Sequence, residues 1–355
     1  MTRALKAESV ETDNVRACND RKMESPGPAL IISLDFELHW GVSERVDGVS
    51  HPYTPRLHGA REVVPRLLEL FERREIHATW ATVGKLFANG AKDLDAFKPL
   101  VRPQYERQSV DTYRIPLGSS EASDPLHYAP SLIRKIRETK GQELACHTFC
   151  HYFCDEPGQS AQEFEADLKA AQSIASRDGV KLRSLVFPRN QVIPDYLAAL
   201  PAAGLDTYRG NPPGAMYHLP EPGIQRQAIR AVRLLDSFIA VTGHHTIPWS
   251  RIAAERPFNV CASHFIRPYS QKLRFLESLR RRRVINGLKA AARRGEVFHI
   301  WWHPHNFGAN LEENLQALEA ILDVFDNLRE RHGMQSLTMA EAADVAEKHS
   351  SVLST

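Results

Sequence analysis

The chain has 355 residues, 43% of them hydrophobic and 25% charged, and its 45 Lys and Arg against 43 Asp and Glu give a net charge of +2. This ordinary balance excludes a disordered or fibrous chain. The near-neutral charge gives no global pull toward nucleic acid or acidic lipid. At roughly 150 residues per domain the length fits two domains or one large α/β barrel, and no stretch approaches the roughly 18 apolar residues of a spanning helix.

Residues 1–26 read as a mobile tail that ends at Pro26-Gly27-Pro28. Charged residues from Arg3 to Glu24 interrupt any apolar run of the roughly 7–15 residues that a secretory signal needs, so a cytoplasmic protein is expected. Cysteines number five (Cys18, Cys146, Cys150, Cys154 and Cys261). An odd count in a long chain without an export signal does not suggest a disulfide framework.

Ala29 to Asp35 is an apolar run ending in acid, which predicts a buried strand that delivers charge at its C-terminal end. Val63, Val64, Leu67, Leu68 and Phe71 give helical spacing over 59–74, and Ala78 to Val83 predicts a second strand. Residues 89–128 are irregular and read as a lid, a binding insertion or a disordered stretch. A helix over 130–140 leads to a strand starting at Glu143, and a long helix is expected over 160–177. Leu182 to Phe187 predicts a fourth strand and Leu205 to Tyr208 a weaker fifth. Residues 211–258 are ambiguous and read as a second insertion, with a further strand near Val260 to Phe265. A helix over 272–294, a strand from Val297 to Trp302 ending at His303, and a helix over 311–331 complete the pattern. Strands alternating with helices imply a mainly parallel sheet. If that sheet closes, polar residues at its C-terminal strand ends share one mouth.

Several groups fall at those strand ends. Alternation puts Asp35 and Glu37 on one side of an extended chain. There the two carboxylates repel unless a cation or an Arg joins them, or else form a solvated strand end. His147 and His151 face one way if their segment is a helical turn. Their nitrogens suit zinc, cobalt or nickel, and a carboxylate from elsewhere would complete a three-ligand site with open positions. Cys146, Cys150 and Cys154 interleave with this pair, either as buried thiols or as a thiolate zinc site without a distant second pair. Arg189 ends a strand, as a surface residue or as a guanidinium that holds an active-site carboxylate ionised. Trp301, Trp302, His303, His305 and Asn306 close an apolar strand. The tryptophans are core or sugar-stacking faces, and His303 is a candidate general acid. Arg280 to Arg283 is the strong charge run, read as a solvated helix face with an anionic ligand as the alternative.

In this order, these segments resemble the polysaccharide deacetylase family, the NodB-homology domain of carbohydrate esterase type. Ser33 to Glu37 stands in place of Thr-Phe-Asp-Asp-Gly, and Ala78 to Gly84 resembles Ala-Thr-Phe-Phe-Val-x-Gly. His147 to His151 is similar to His-Ser/Thr-x-x-His. Phe187 to Arg189 resembles the Arg-containing strand end, Trp301 to His303 the late strand ending in His, and Leu337 to Glu341 the start of the closing helix. The likeness spans about residues 29–345. The adjacent Asp-Asp pair is missing, and the Asp-x-Glu spacing resembles a variant subgroup. The Arg-Pro-Pro-type motif is altered to Pro188-Arg189-Asn190.

The resemblance implies an α/β fold, a distorted (β/α)7 barrel over 27–348 with insertions near 89–128 and 211–258. It implies a divalent transition metal, zinc foremost, held by Glu37, His147 and His151, with Asp35 as base and exchange of the two acids left open. Arg189 would hold Asp35 ionised, His303 would protonate the leaving amine, and Phe187, Asn190, Trp302 and His305 would contact substrate. The implied reaction is metal-dependent hydrolysis of an N-acetyl group on a sugar or glycan, nucleotide-linked or lipid-linked, in surface-polysaccharide biosynthesis. Nucleic acid is not an expected partner. A related C–N hydrolase, such as a deformylase or cyclic amidase, and a non-catalytic carbohydrate-binding barrel are the alternatives.

Overall fold

The computed structural model of the protein describes residues 26–46, 51–213, 232 and 234–353. The expected tail lies outside the described residues apart from Pro26, as does much of the second insertion. Among the described residues nine strands form the sheet: β1 (Ala29–Phe36), β2 (Ala78–Thr82), β3 (Gln142–Cys146), β4 (Ser184–Val186), β5 (Thr207–Arg209), β6 (Phe258–Asn259), β7 (His264–Phe265), β8 (Val297–Trp302) and β9 (Gln335–Leu337). Their order is β6-β5-β4-β3-β2-β1-β8-β7, with β9 also on β1, and every pairing between these strands is parallel.

The sheet curls into a ring because one segment serves both of its edges. Phe258, Val260 and Ala262 donate backbone N–H bonds to the carbonyls of Asp206, Tyr208 and Gly210. Ser263 and Ile266 then donate to His299 and Trp301 at 2.8 Å each. Residues 258–266 therefore leave β5 and join β8, so that β6 and β7 act as one staggered seventh stave. This is a distorted (β/α)7 barrel, as the sequence implied.

Strand parity decides what faces the lumen. On β1, Leu30, Ile32, Leu34 and Phe36 enter the large core under the helices, while Ala29 and Ile31 join a separate inner cluster. Ser33 and Asp35 continue that inner row. On β8, Phe298, Ile300 and Trp302 pack outward, and Val297 and His299 face inward. The alternation follows from the period of two along an extended chain. All strands run the same way, so the inner rows of β1, β3, β5 and β8 deliver their last polar residues to one mouth.

Helices cover the outer face: Thr54–Arg73, Pro130–Glu138, Ala161–Arg177, Glu277–Arg294 and Leu311–His332. The last helix, Met339–Leu353, packs Met339, Ala342, Ala343 and Ala346 against the inner cluster instead. The first begins five residues before the apolar spacing predicts, with a Pro in its first turn, where the missing N–H costs nothing. The expected helix over 272–294 opens instead as a 3-10 segment, Gln271–Leu276. The first insertion carries a helix, Ala91–Phe97, and two short 3-10 turns. It packs behind the mouth. Tyr105 and Val110 cluster with Phe153, and the Tyr105 hydroxyl accepts the Phe153 N–H at 2.9 Å.

The helix Thr54–Arg73 crosses the short helix Pro304–Phe307, which follows His303, at a backbone-to-backbone contact. A Cβ on Gly59 would overlap the Gly308 carbonyl, and one on Gly308 would overlap the Arg56 carbonyl. Gly59→Val should therefore lower stability by about 1–3 kcal/mol, the usual cost of overpacking. Urea unfolding measures this, and an unchanged midpoint would show that the close approach is dispensable.

Candidate metal and acid–base site

Glu37 follows β1 and begins a 3-10 turn, Leu38–Gly41. The turn folds back so closely that a Cβ on Gly41 would occupy the place of the Glu37 carboxylate. Glycine is thus needed there for space, and it lets the Glu37 side chain lie in the mouth. Opposite, His147 leaves the end of β3. His151 joins it, but not through the helical turn that the i, i+4 spacing suggested. Residues 147–151 are a loop in which Thr148 and His151 both take positive φ, 59° and 58°. Such angles carry strain for residues other than glycine, so the loop must be held from outside. The Phe149 N–H donates to Asp167 Oδ1 at 2.5 Å, and the Tyr152 N–H to Thr148 Oγ1 at 2.7 Å. Gly84 and Lys85 donate to the Thr148 and Phe149 carbonyls at 2.8 and 3.0 Å.

The result is a buried cluster of one carboxylate and two imidazoles whose ligand atoms all lie within 4.8 Å of one another. His147 Nε2 stands 3.3 Å, and His151 Nε2 3.2 Å, from Glu37 Oε2. His147 Nδ1 donates to the Val186 carbonyl at 2.8 Å. In the neutral ring this leaves the Nε2 lone pair facing the carboxylate oxygen, an arrangement that needs a cation between them. The donor set therefore fits a divalent transition metal with coordination positions to spare. Burial would raise the Glu37 carboxyl, but the imidazoles of His303, His147 and His151 hold it well below the usual carboxylate range. Burial pushes His151 down, toward the neutral form that binds metal. Cys146, Cys150 and Cys154 are buried free thiols that burial keeps protonated, and none belongs to the cluster.

Asp35 lies beside this cluster and pairs with a different partner. Its Oδ1 and Oδ2 receive Arg209 Nη1 and Nη2 at 2.6 and 2.8 Å, and both side chains are buried. Burial alone would raise the Asp35 carboxyl, and the Arg209 guanidinium overrides that and holds it below its ordinary value. Ser33 Oγ and Asn190 Oδ1 accept further bonds from Arg209, and its guanidinium lies 4.2 Å from the centre of the Trp301 ring.

The expected role of Arg189 is thereby corrected. Arg189 follows Pro188 in a tight turn with φ 57°, and this backbone swings its side chain to the rim. There it pairs with Glu44 and lies over the Phe153 ring. Arg209 was missed because the fifth strand was predicted to stop one residue short of it. Continuing the alternation from outward-facing Tyr208 would have turned Arg209 inward.

His303 Nε2 lies 3.5 Å from Glu37 Oε1 and 3.8 Å from Asp35 Oδ2. Its side chain is 23% exposed, so solute can reach it, whereas the side chains of Asp35 and Glu37 are nearly covered. The Asn306 amide N–H donates to His303 Nδ1 at 3.3 Å, which in the neutral ring places the proton on Nε2. His305, 5.0 Å from His303 ring to ring, is buried, and burial drives its pKa down to about 3. It is a neutral wall of the site.

Two expected substrate contacts are core instead. Trp302 is fully buried and stacked on Phe307, and Phe187 is fully buried and stacked on Phe164. Both have outward parity. Trp301, one residue earlier, has the same parity as His303 and lines the mouth, 5.7 Å from it ring to ring. Asn190 supports Arg209.

No family model and no curated protein matches the chain. Solved structures do. A protein assigned as a polysaccharide deacetylase from Mycobacterium smegmatis superposes with TM-score 0.57 at 12% identity, over 91% of this chain and 92% of that one. The fold is that of the polysaccharide deacetylases. One from Pseudomonas aeruginosa PAO1 covers 90% of each chain at 13% identity and TM-score 0.49. A CE4 family pseudoenzyme from Bacillus anthracis covers 91% of this chain and 67% of its own, at 10% identity and TM-score 0.43.

If the cluster holds metal, purified protein should carry one transition-metal ion per chain, and His147→Ala with His151→Ala should abolish it. Gly41→Ala should weaken metal affinity by the 10–100-fold typical of disturbing a ligand's support, because the added methyl displaces Glu37. Elemental analysis and chelator competition read both effects. Full occupancy in the double variant would remove these residues from the metal site.

Proposed function

We propose that the protein is a metal-dependent hydrolase that removes the N-acetyl group of a sugar in the synthesis of a surface glycan. Zinc is the proposed cation and the cytoplasm the proposed compartment. The observation that carries this reading is the meeting of Glu37, His147 and His151 with a separate, Arg-held carboxylate and a reachable imidazole, all at one barrel mouth. A divalent cation held by the three ligands would supply Lewis acidity to the acyl oxygen and to the attacking water.

The chain's own residues supply the proton transfers. Asp35, kept ionised by Arg209, takes a proton from the attacking water as its oxygen bonds to the acyl carbon. His303, in its protonated form, gives its Nε2 proton to the sugar nitrogen as the C–N bond breaks and is left as the neutral ring. The products are acetate and a free amine. Asp35 and His303 come from strands far apart in sequence, yet they stand 3.8 Å apart. That spacing lets a base and an acid serve one scissile amide. Trp301 offers an aromatic face beside His303 for a sugar ring.

Incubation with a panel of N-acetylated and N-formylated sugars tests this. Acetate release should exceed formate release, and a chelator should stop it. Asp35→Asn and His303→Ala should each lower turnover by about 10²–10⁴-fold, the usual worth of general acid–base help, with metal retained. Metal-loaded protein that binds glycans but releases neither acid would favour a binding barrel.

The pH profile tests Arg209 separately. Without its guanidinium, only the His303 and His147 imidazoles oppose the effect of burial on Asp35, so the folded pKa rises and the base is protonated over more of the acid range. Arg209→Gln should shift the acidic limb of the activity profile upward by about 1–3 units. Arg189→Gln should leave that limb in place. The reverse pattern would restore Arg189 as the partner of Asp35.

A further inference from the structure

The run Arg280 to Arg283 does not form one solvated face. Arg283 is buried and pairs with Asp236 Oδ2 at 3.3 Å, and its Nε and Nη2 donate to the Asp236 and Gly243 carbonyls at 3.0 and 2.7 Å. Arg280 pairs with Glu277 at 2.9 Å and donates to the Arg267 and Pro268 carbonyls. Segments 234–241 and 271–283 contain only these two acids, Asp236 and Glu277. Both acids thus have arginine partners, while Lys272, Arg274, Arg281 and Arg282 are exposed around them.

The same two segments expose an unusual amount of apolar surface. Phe275 is 71% exposed, and Leu273, Leu279, Leu234, Leu235, Ile239 and Val241 are also exposed. Among the described residues, the other large exposed hydrophobics are Leu100 and Val101 alone. The segments adjoin, since Arg283 binds Asp236 and since Ser237 lines one cleft with Arg280 and Arg281. That cleft also contains Phe265, whose ring is 4.6 Å from Trp301 and 6.0 Å from His303. The basic, apolar ridge therefore begins at the edge of the site. It is built on the N-terminal end of the helix that follows β7, the end that opens on the mouth.

We propose that this ridge docks the barrel mouth onto an anionic lipid surface, where the sugar is presented on a membrane anchor. Apolar side chains projecting among Lys and Arg are what an interfacial segment requires. The apolar groups enter the acyl boundary and the cations meet anionic headgroups. A second copy of the chain fits poorly, because a two-fold contact would set this ridge against itself, arginine on arginine. The described residues contain no helix long and apolar enough to cross a membrane, so the contact is peripheral. The choice of an acetylated sugar rests on the deacetylase reading; the docking does not.

The test uses the full chain and vesicles of phosphatidylcholine with and without phosphatidylglycerol. Wild type should co-sediment with the anionic vesicles, less so at high salt, and should not with the neutral ones. Phe275→Ser with Leu279→Ser should release it. Each of Arg274→Glu, Arg281→Glu and Arg282→Glu should weaken partition by at least about fivefold, the factor for losing one cation near the surface. These side chains are exposed, so circular dichroism and metal content should be unchanged, as should turnover of a soluble acetylated sugar. Wild type that stays in the supernatant with anionic vesicles overturns the proposal, as do variants that bind like wild type. Dimerisation abolished by Phe275→Ser, without vesicle binding, would assign the ridge to self-association instead. Vesicle binding without acetate release would leave the docking standing and remove the deacetylase reading.

Discussion

Two carboxylates are buried two residues apart at the end of β1, and the mouth of the barrel is arranged around compensating them. Neither charge could be sustained there alone, since an unpaired buried carboxylate takes up a proton. The compensation is different for each. Asp35 receives a permanent cation, a guanidinium in a fork that satisfies both oxygens. Glu37 receives only imidazoles, which carry charge conditionally and offer lone pairs as readily as protons. Equivalent side chains are thereby given different chemistry by their surroundings, which is how paired carboxylates come to divide a task. The pairing also distinguishes the two acids, which the Asp-x-Glu spacing left open: Glu37 stands with the imidazoles and Asp35 with Arg209.

Much of this was legible in the sequence because the barrel reads its strands with a period of two. The apolar run ending at Asp35, the second strand at Ala78 and the late strand ending at His303 lie where the residue pattern put them. Two of the readings that failed did so by parity. Trp302 and Phe187 stand beside candidate catalytic groups in the sequence, which suggests sugar platforms. On a strand, adjacent residues face opposite ways, so the neighbour of an inward residue is core. The same rule would have selected Trp301. Arg209 was lost because β5 is three residues long and has no strong apolar signature. The link between Asp35 and Arg209 spans 174 positions and leaves no local trace.

The histidine pair shows a different limit. Its spacing pointed to convergence, and the rings do converge, but through a strained loop rather than a helix. What holds the loop is Asp167 from one helix and the backbone amides of Gly84 and Lys85 after β2. None of these carries a signal that the sequence alone ties to His147. Asp167 illustrates the cost. It is buried, and burial raises its pKa to about 6, yet it accepts the amide of Phe149 in the middle of the loop. A buried acid used to secure two imidazoles is a structural expense that packing alone would not explain.

Backbone strain has the same distribution. Among the described residues, eight other than glycine have positive φ, and Leu38, Thr148, His151, Arg189 and Asn190 are five of them. All five lie in the segments that leave β1, β3 and β4 at the mouth, although these segments are a small part of the chain. Strain of this kind persists only where the surrounding structure over-determines it, and it collects at functional sites. Each case here turns a side chain or a neighbour toward a named partner. Leu38 opens the turn that folds Gly41 against Glu37, Thr148 and His151 close the imidazole pair, and Asn190 reaches Arg209. A barrel serving only as a scaffold would have no reason to place its least favourable conformations around two buried acids. Their concentration at the mouth, on the same loops that carry Glu37, His147 and His151, is an independent mark of a site rather than of a scaffold.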